Sequence, residues 1–478
     1  MIAEVFVVRI ASVVGKWGRL ALAMVLTVAA ALPADEPADV PPLAEVIAVG
    51  KALAETIPEL EAQMREAGNP VRHGDISCIY RRDAADTERF DYGAGEDFSQ
   101  LRLVPGGKWT LSVSILCDDN DANIRLDLSP LKDKPVECLT ILDYAGEALP
   151  SFRYLPNLVY LSLDRFPAVT DISSLAKELP YLKYLILHDM PRLHDISPLA
   201  DLSELHSLAL WQTNVHNFAP LRGVALKELH VEFANTVKYD DPSPDISWVR
   251  NLPALEYLEI GGNRIKSLAP LRSLLYLRTL FLEDYKGNDL SPLCGLPLET
   301  LLLNVKHVKD ISPLMKLPSL RNLIFLNCSA DLTPLRNIPL TGVYLQRSRF
   351  TDLSSLVQPQ LRHLALSDNI KVYDLSPLRG TKLEKLLIGH CPQIKDLSPL
   401  KGMTSLRLFK YYGDPFSQAT LADVVAGTAK RLSGHNSGRH ENYSARDARG
   451  LFPSKLRIYN FDSHIASFHD YWDGDGRD

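Results

Sequence analysis

Two apolar patterns alternate along most of this chain. One is a Leu-x-x-Leu-x-Leu run, as in Leu255, Leu258 and Ile260. The other is a five-residue segment, Asp-Ile-Ser-Pro-Leu, at Asp310–Leu314 and Asp195–Leu199. It recurs with Leu in the second place at Asp289–Leu293, Asp374–Leu378 and Asp396–Leu400. Exact and looser copies start at 127, 148, 171, 195, 217, 245, 267, 289, 310, 331, 352, 374 and 396. The spacing is 21–24 residues, apart from a step of 28 after residue 217. A fixed period of this length predicts a solenoid, one supersecondary unit per repeat.

The position-by-position chemistry agrees. In a strand, successive side chains point to opposite faces. Leu258 and Ile260 then point into the coil, and Tyr257, Glu259 and Gly261 point out. The same holds at Leu280/Leu282, Leu301/Leu303, Leu364/Leu366 and Leu386/Ile388. Stacked coils pair these short strands into one parallel sheet. In the return segment, Ser312 is placed to cap a short helical turn and Pro313 suits its first position, while Ile311 and Leu314 go inward. One coil cannot bury its apolar side alone, but a stack can. Asn235 to Pro244 form the longest insertion and read as a surface loop.

The flanks follow other patterns. Val46, Val49, Leu53, Ile57, Leu60 and Met64 recur at helical spacing, and Pro58 splits this stretch into two short helices. Residues 71–100 are polar and read as irregular. Leu101–Val104 and Thr110–Leu116 read as two strands joined at Pro105-Gly106-Gly107, with Leu111, Val113 and Ile115 on the buried side. After Tyr412, Leu421, Val424, Val425 and Leu432 suggest an amphipathic helix, and Leu456 to Tyr459 a last strand. Both flanks serve to cover the open ends of the stack.

At the start, Arg9, Lys16 and Arg19 precede an apolar run from Leu20 to Leu32. About 13 residues is short for a membrane span, which needs roughly 20. This reads as a signal peptide over 1–34, the alternative being an uncleaved anchor. The division expected is thus 1–34 signal, 35–126 N-terminal flank, 127–412 repeats, and 413–478 C-terminal cap with an acidic tail. The expected location is secreted, periplasmic or at the cell surface. The net charge of −6 becomes −8 once Arg9, Lys16, Arg19 and Glu4 are removed. That balance argues against a nucleic-acid partner. Six cysteines are too few for a disulfide scaffold. In an exported protein one pair among Cys78, Cys117 and Cys138 is expected to bridge, most simply Cys78 with Cys117.

The Leu-x-x-Leu-x-Leu and Asp-[Ile/Leu]-Ser-Pro-Leu repeats resemble leucine-rich repeats of the internalin and SDS22-like type. The resemblance covers about 127–412. It implies an α/β solenoid, a horseshoe with a parallel sheet on the concave face and short 3-10 turns on the convex face. It also implies the binding of other macromolecules. The position that is often Asn in that family is Asn263 and Asn369 here, but Cys328 and Cys391 elsewhere.

Candidate chemistry follows from the outward positions. Tyr160, Tyr184, His188, Trp211, Glu232, Tyr257, Glu259 and Phe281 are expected to form a partner-binding face, since Tyr and Trp supply much of the energy at recognition surfaces. The acids Glu228, Glu232, Glu259 and Glu283 near His230 read as a solvated strip that favours a basic partner, rather than a metal site. The more apolar half, with Leu302, Ile324, Leu326, Ala365 and Leu387, is a second contact surface or a covered one. No Gly-rich phosphate loop, His-Glu-x-x-His or Gly-x-Ser-x-Gly occurs, and no cofactor is implied. The expected function is an exported, non-enzymatic protein that binds a protein, peptide or glycan. The alternatives are an intracellular SDS22-like scaffold or phosphatase regulator, and an enzyme with groups near His435 and His440.

Overall fold

The computed structural model describes residues 49, 56–71, 75–81, 108–117, 125–233, 245–261, 265–282, 285–412 and 420–429. The chain folds as two compact units. One takes in the N-terminal region to Tyr144 with Pro150–Leu161, the other Ala145–Leu149 and the chain from Ser162 to Pro453.

In the first unit, helix α1 (Ile57–Glu66) begins with Pro58 in its first turn, where the missing N–H costs nothing. Ile57, Leu60 and Met64 are its buried side. Strand β1 (Ile76–Arg81) pairs antiparallel with β2 (Lys108–Leu116), and β2 pairs parallel with β3 (Val136–Leu142). Leu111, Val113 and Ile115 are fully buried, as their alternation requires. Two expectations need correction. Residues 76–81 lie in the stretch read as irregular, yet they are the antiparallel partner of β2. Their Ile-Ser-Cys-Ile-Tyr-Arg sequence is β-prone but gains its partner only across some thirty residues of chain. The proposed first strand, 101–104, lies outside the described residues.

The expected disulfide is also overturned. Cys78 stands opposite Leu111, whereas Cys117 lies six residues further along β2, roughly 20 Å away at about 3.3 Å per residue. Cys138 on β3 is opposite Ser112, two strand spacings or about 10 Å from Cys78 and about 17 Å from Cys117. A bridge needs Cα atoms within about 7 Å. None of the three pairings can close.

In the second unit the coils repeat as predicted. Strands β5 (Tyr184–His188), β6 (Ser207–Thr213), β7 (Glu228–Phe233), β8 (Tyr257–Gly261), β9 (Thr279–Leu282), β10 (Thr300–Asn304), β11 (Asn322–Leu326), β12 (Gly342–Gln346), β13 (His363–Ser367), β14 (Lys385–Gly389) and β15 (Leu408–Tyr412) pair parallel, each with the next. Strand β4 (Tyr160–Asp164) contributes Tyr160 and Leu161 to the first unit and the rest to the second. The register is uniform, so Leu280, Leu301, Leu323, Val343, Leu364 and Leu386 form one inward column, each at most 1% exposed.

The coils return through a single 3-10 turn, such as Ser197–Asp201 or Ser312–Lys316, or through the short helix α2 (Ser173–Glu178), except between β12 and β13, where a simple turn at 354–356 serves. The capping group is the Asp, not the Ser. Ser312 N donates to Asp310 Oδ1 at 2.8 Å, and Ser197 Oγ donates back to Asp195 Oδ2 at 2.9 Å. The Ser occupies the first helical position, so its own N–H is the orphan donor that the Asp satisfies. After β15, helix α3 (Leu421–Ala426) starts with a Thr420–Asp423 capping box and buries Val424 against the last coil. This is a leucine-rich-repeat solenoid, with parallel strands on one side and 3-10 turns on the other.

Candidate functional site

The outward face of the sheet is three residues wide. Register assigns its columns. The first runs Tyr184, Ser207, Glu228, Tyr257; the second Ile186, Ala209, His230, Glu259, Phe281; the third His188, Trp211, Glu232, Gly261. Strands in a sheet lie about 4.8 Å apart, so residues far apart in sequence become direct neighbours.

On β4 to β9 this face is a connected network. His188 Nδ1 lies 2.7 Å from Asp164 Oδ1. The His188 and Trp211 rings meet edge to face at 6.2 Å, and Trp211 meets His230 the same way at 5.8 Å. His230 lies 4.5 Å from the Tyr257 ring at a shallow tilt, and Tyr257 meets Phe281 at 5.5 Å. Glu259 Oε2 accepts from the Tyr257 hydroxyl at 2.8 Å and sits 3.0 Å from His230 Nδ1. Edge-to-face rings contribute beyond their buried area, because a positive ring edge meets a negative face.

The structure thus brings together His188, Trp211, Tyr257, Glu259 and Phe281 of the expected residues. Glu232 is Trp211's register partner on β7 and is half-buried. Tyr184 opens the first column and is buried. Tyr160 stands on β4 in the first unit, half-buried. The residue missing from the expected set is His230, the hub of the network. Alternation placed it outward, but its role follows from Glu259 and Tyr257 being on the next strand. Asp164 enters the same way, through His188.

The acids do not form a solvated strip. Glu259's side chain is only 15% exposed and is held by two partners. Glu228 is half-buried, and burial, its largest influence, pushes its carboxyl above the usual carboxylate range. Glu283 lies outside the described residues. Among the described residues no three His, Cys, Asp or Glu side chains are arranged to hold a metal ion.

The aromatics are less exposed than a bare binding face would have them. Trp211 and Tyr257 are 7% and 9% exposed, and Phe281 1%. Further along the second column, Leu302, Ile324, Tyr344 and Ala365 are fully buried although they point away from the coil interior. Residues 413–419 and 430–478, with His435, His440 and the final strand, lie outside the described residues, as do residues 1–48 and Asn263.

Comparison with protein-family models finds no match, and neither does comparison with curated proteins. Among solved structures, the chain is similar to an internalin (inlF) of Listeria monocytogenes, with 23% identity, 69% of this chain and 87% of that chain covered, and a TM-score of 0.45. An internalin C2 of the same organism matches at 22% identity over 46% of this chain and 76% of that chain, TM-score 0.29. Toll in the Drosophila Toll–Spatzle complex matches at 16% identity over 66% of this chain and 44% of that chain, TM-score 0.43. All three scores are below 0.5, and the fold assignment rests on the chain's own register and turns.

Proposed function

We infer that this leucine-rich-repeat solenoid is a non-enzymatic binding protein whose outward sheet face on β4 to β9 engages a protein, peptide or glycan, and that it acts outside the cytoplasm. One observation carries the reading. Rings and charged groups from six successive coils converge on a rigid, regular sheet, away from the core that the fold itself needs. Side chains held by neighbours lose little freedom on binding, which lowers the ordering cost. The acids favour a partner with basic groups. Export is supported by the basic and apolar pattern of residues 1–34, and no helix among the described residues is long and apolar enough to cross a membrane.

Truncating Trp211 or Tyr257 would disturb buried ring contacts, so the test uses a half-buried position. Glu232→Lys reverses charge beside Trp211. The expected result is a drop of at least tenfold in partner capture from the native surface fraction, with stability within about 0.5 kcal/mol of the parent. Normal capture by this variant would move the binding site elsewhere. N-terminal sequencing with cell fractionation tests export; an intact N-terminus in the cytosol would favour the intracellular scaffold.

A further inference from the structure

Glu228 sits on β7 in register with Ser207 on β6 and Tyr257 on β8. A hydrogen bond to Ser207 serves its carboxylate. Its Oε2 is buried and makes no hydrogen bond. The neighbouring acids are answered: Glu259 by His230 and Tyr257, Glu256 by Lys227 at 3.3 Å. Buried polar atoms are almost always paired, so an unpaired carboxylate oxygen on a candidate binding face calls for a guest.

The charge count has a sign. The groups facing Glu228 are Ser207 and His206 from the preceding coil, His230 on its own strand, and Glu256 and Tyr257 from the next, with Glu259 one step away as the partner of His230. Lys227 offsets Glu256. Glu228 and Glu259 then bring two negative charges against at most two, from His230 and His206. The site is short of a cation whenever both acids are ionised and either imidazole is neutral. His230 and Tyr257 add a nearly stacked ring pair beside it.

We propose that Glu228 receives an arginine side chain of the bound partner, with the guanidinium on Oε2 and its flat face against the Tyr257 ring. This rests on the binding reading of the same face. A guanidinium suits the place better than an ammonium. It is planar, bonds carboxylates in a fork, stacks on rings and sheds water more readily. A divalent ion needs several converging oxygens, and Glu259's is already taken.

The test uses fluorescein-labelled Gly-Ser pentapeptides with a central Arg, Lys or citrulline, the last being a neutral isostere of Arg. Binding to the full chain is read by polarisation, with Glu228→Gln alongside. The expected preference of wild type for Arg over citrulline is at least tenfold, with Lys between them. Glu228→Gln keeps its thermal midpoint and loses the preference. Arg affinity falls as pH drops through the raised range of the Glu228 carboxyl, while citrulline affinity stays flat. Equal binding of Arg and citrulline by wild type overturns the proposal, as does a Glu228→Gln variant that still prefers Arg. Failure to bind any of these peptides overturns it too. The binding face itself is judged separately, by partner capture with Glu232→Lys.

Discussion

Asn369 shows how one residue can tie two coils. It is fully buried two residues after β13, its Nδ2 donates to Leu345 O at 2.7 Å, and its Oδ1 accepts from Ser348 N at 2.8 Å. The equivalent place holds Cys328, Ser348 and Cys391 in other coils, all buried. Burial pushes the Cys328 thiol up to about 11 and the Cys391 thiol up to about 12. Such thiols are poor nucleophiles and act as small packing groups. The Asn does more, because it supplies both a donor and an acceptor to the backbone of the preceding coil. Asn369→Ala should therefore cost about 1–3 kcal/mol in urea unfolding, since two buried backbone groups lose their bonds. A cost below a few tenths would mean the ladder is not what joins these coils.

The 3-10 turn is the unit repeated at the scale of elements. Its Asp carboxylates at 127, 289 and 310 are held below the usual carboxylate range first by the Ser backbone N–H and then by the Ser hydroxyl. At 245, 331, 352, 374 and 396 the hydroxyl is the larger cause. A depressed folded value means that these bonds stabilise the fold above the unfolded pKa, near 4, and that this share is lost as pH falls through the folded values. The thermal midpoint should thus decline on acidification below about pH 4. Asp310→Asn should lessen that decline while keeping the turn, because Asn217 already accepts from Ala219 N at 3.0 Å in its own coil. Scanning calorimetry from pH 3 to 7 checks both outcomes. The coils also carry a charge ladder before the strands, Lys227–Glu256, Arg278–Glu299 and Arg362–Glu384. These exposed pairs are worth about 0–1 kcal/mol each, so they favour register more than stability.

A solenoid survives at the scale of the whole molecule only if its ends are closed, since an open end exposes apolar core. In the first unit Asn69, just past α1, bonds both backbone groups of Asp127: Nδ2 to its carbonyl at 2.7 Å, and Oδ1 from its N–H at 3.0 Å. That side chain joins the flanking helix to the first repeat. Asn69→Ala should raise hydrogen–deuterium exchange across 57–66 and 127–131 together and cost about 1–3 kcal/mol. Unchanged exchange in both segments would show that the helix docks by apolar contact alone. At the other end, Val424 on α3 is buried and Gly402 N donates to Val425 O at 2.9 Å.

Local pattern determined the coils. Alternation decides which Leu faces in, and the Asp-x-Ser pattern, with a Pro inside the first turn of most returns, marks where a return begins, so β5 to β15 and most turns were legible residue by residue. Placing Tyr257, Glu259, Trp211 and His188 on one face needed only the same period. The strand at 76–81, the impossibility of a Cys78–Cys117 bridge, the Asp as capping group and the hub role of His230 were not legible. Each depends on which backbone or side chain stands beside the residue across a coil or a strand pair. Period and polarity act within a few residues and can be read along the chain. Neighbours 20 to 30 residues apart are set by register, and so only the tertiary structure decided which charges pair and which carboxylate oxygen is left without a hydrogen bond.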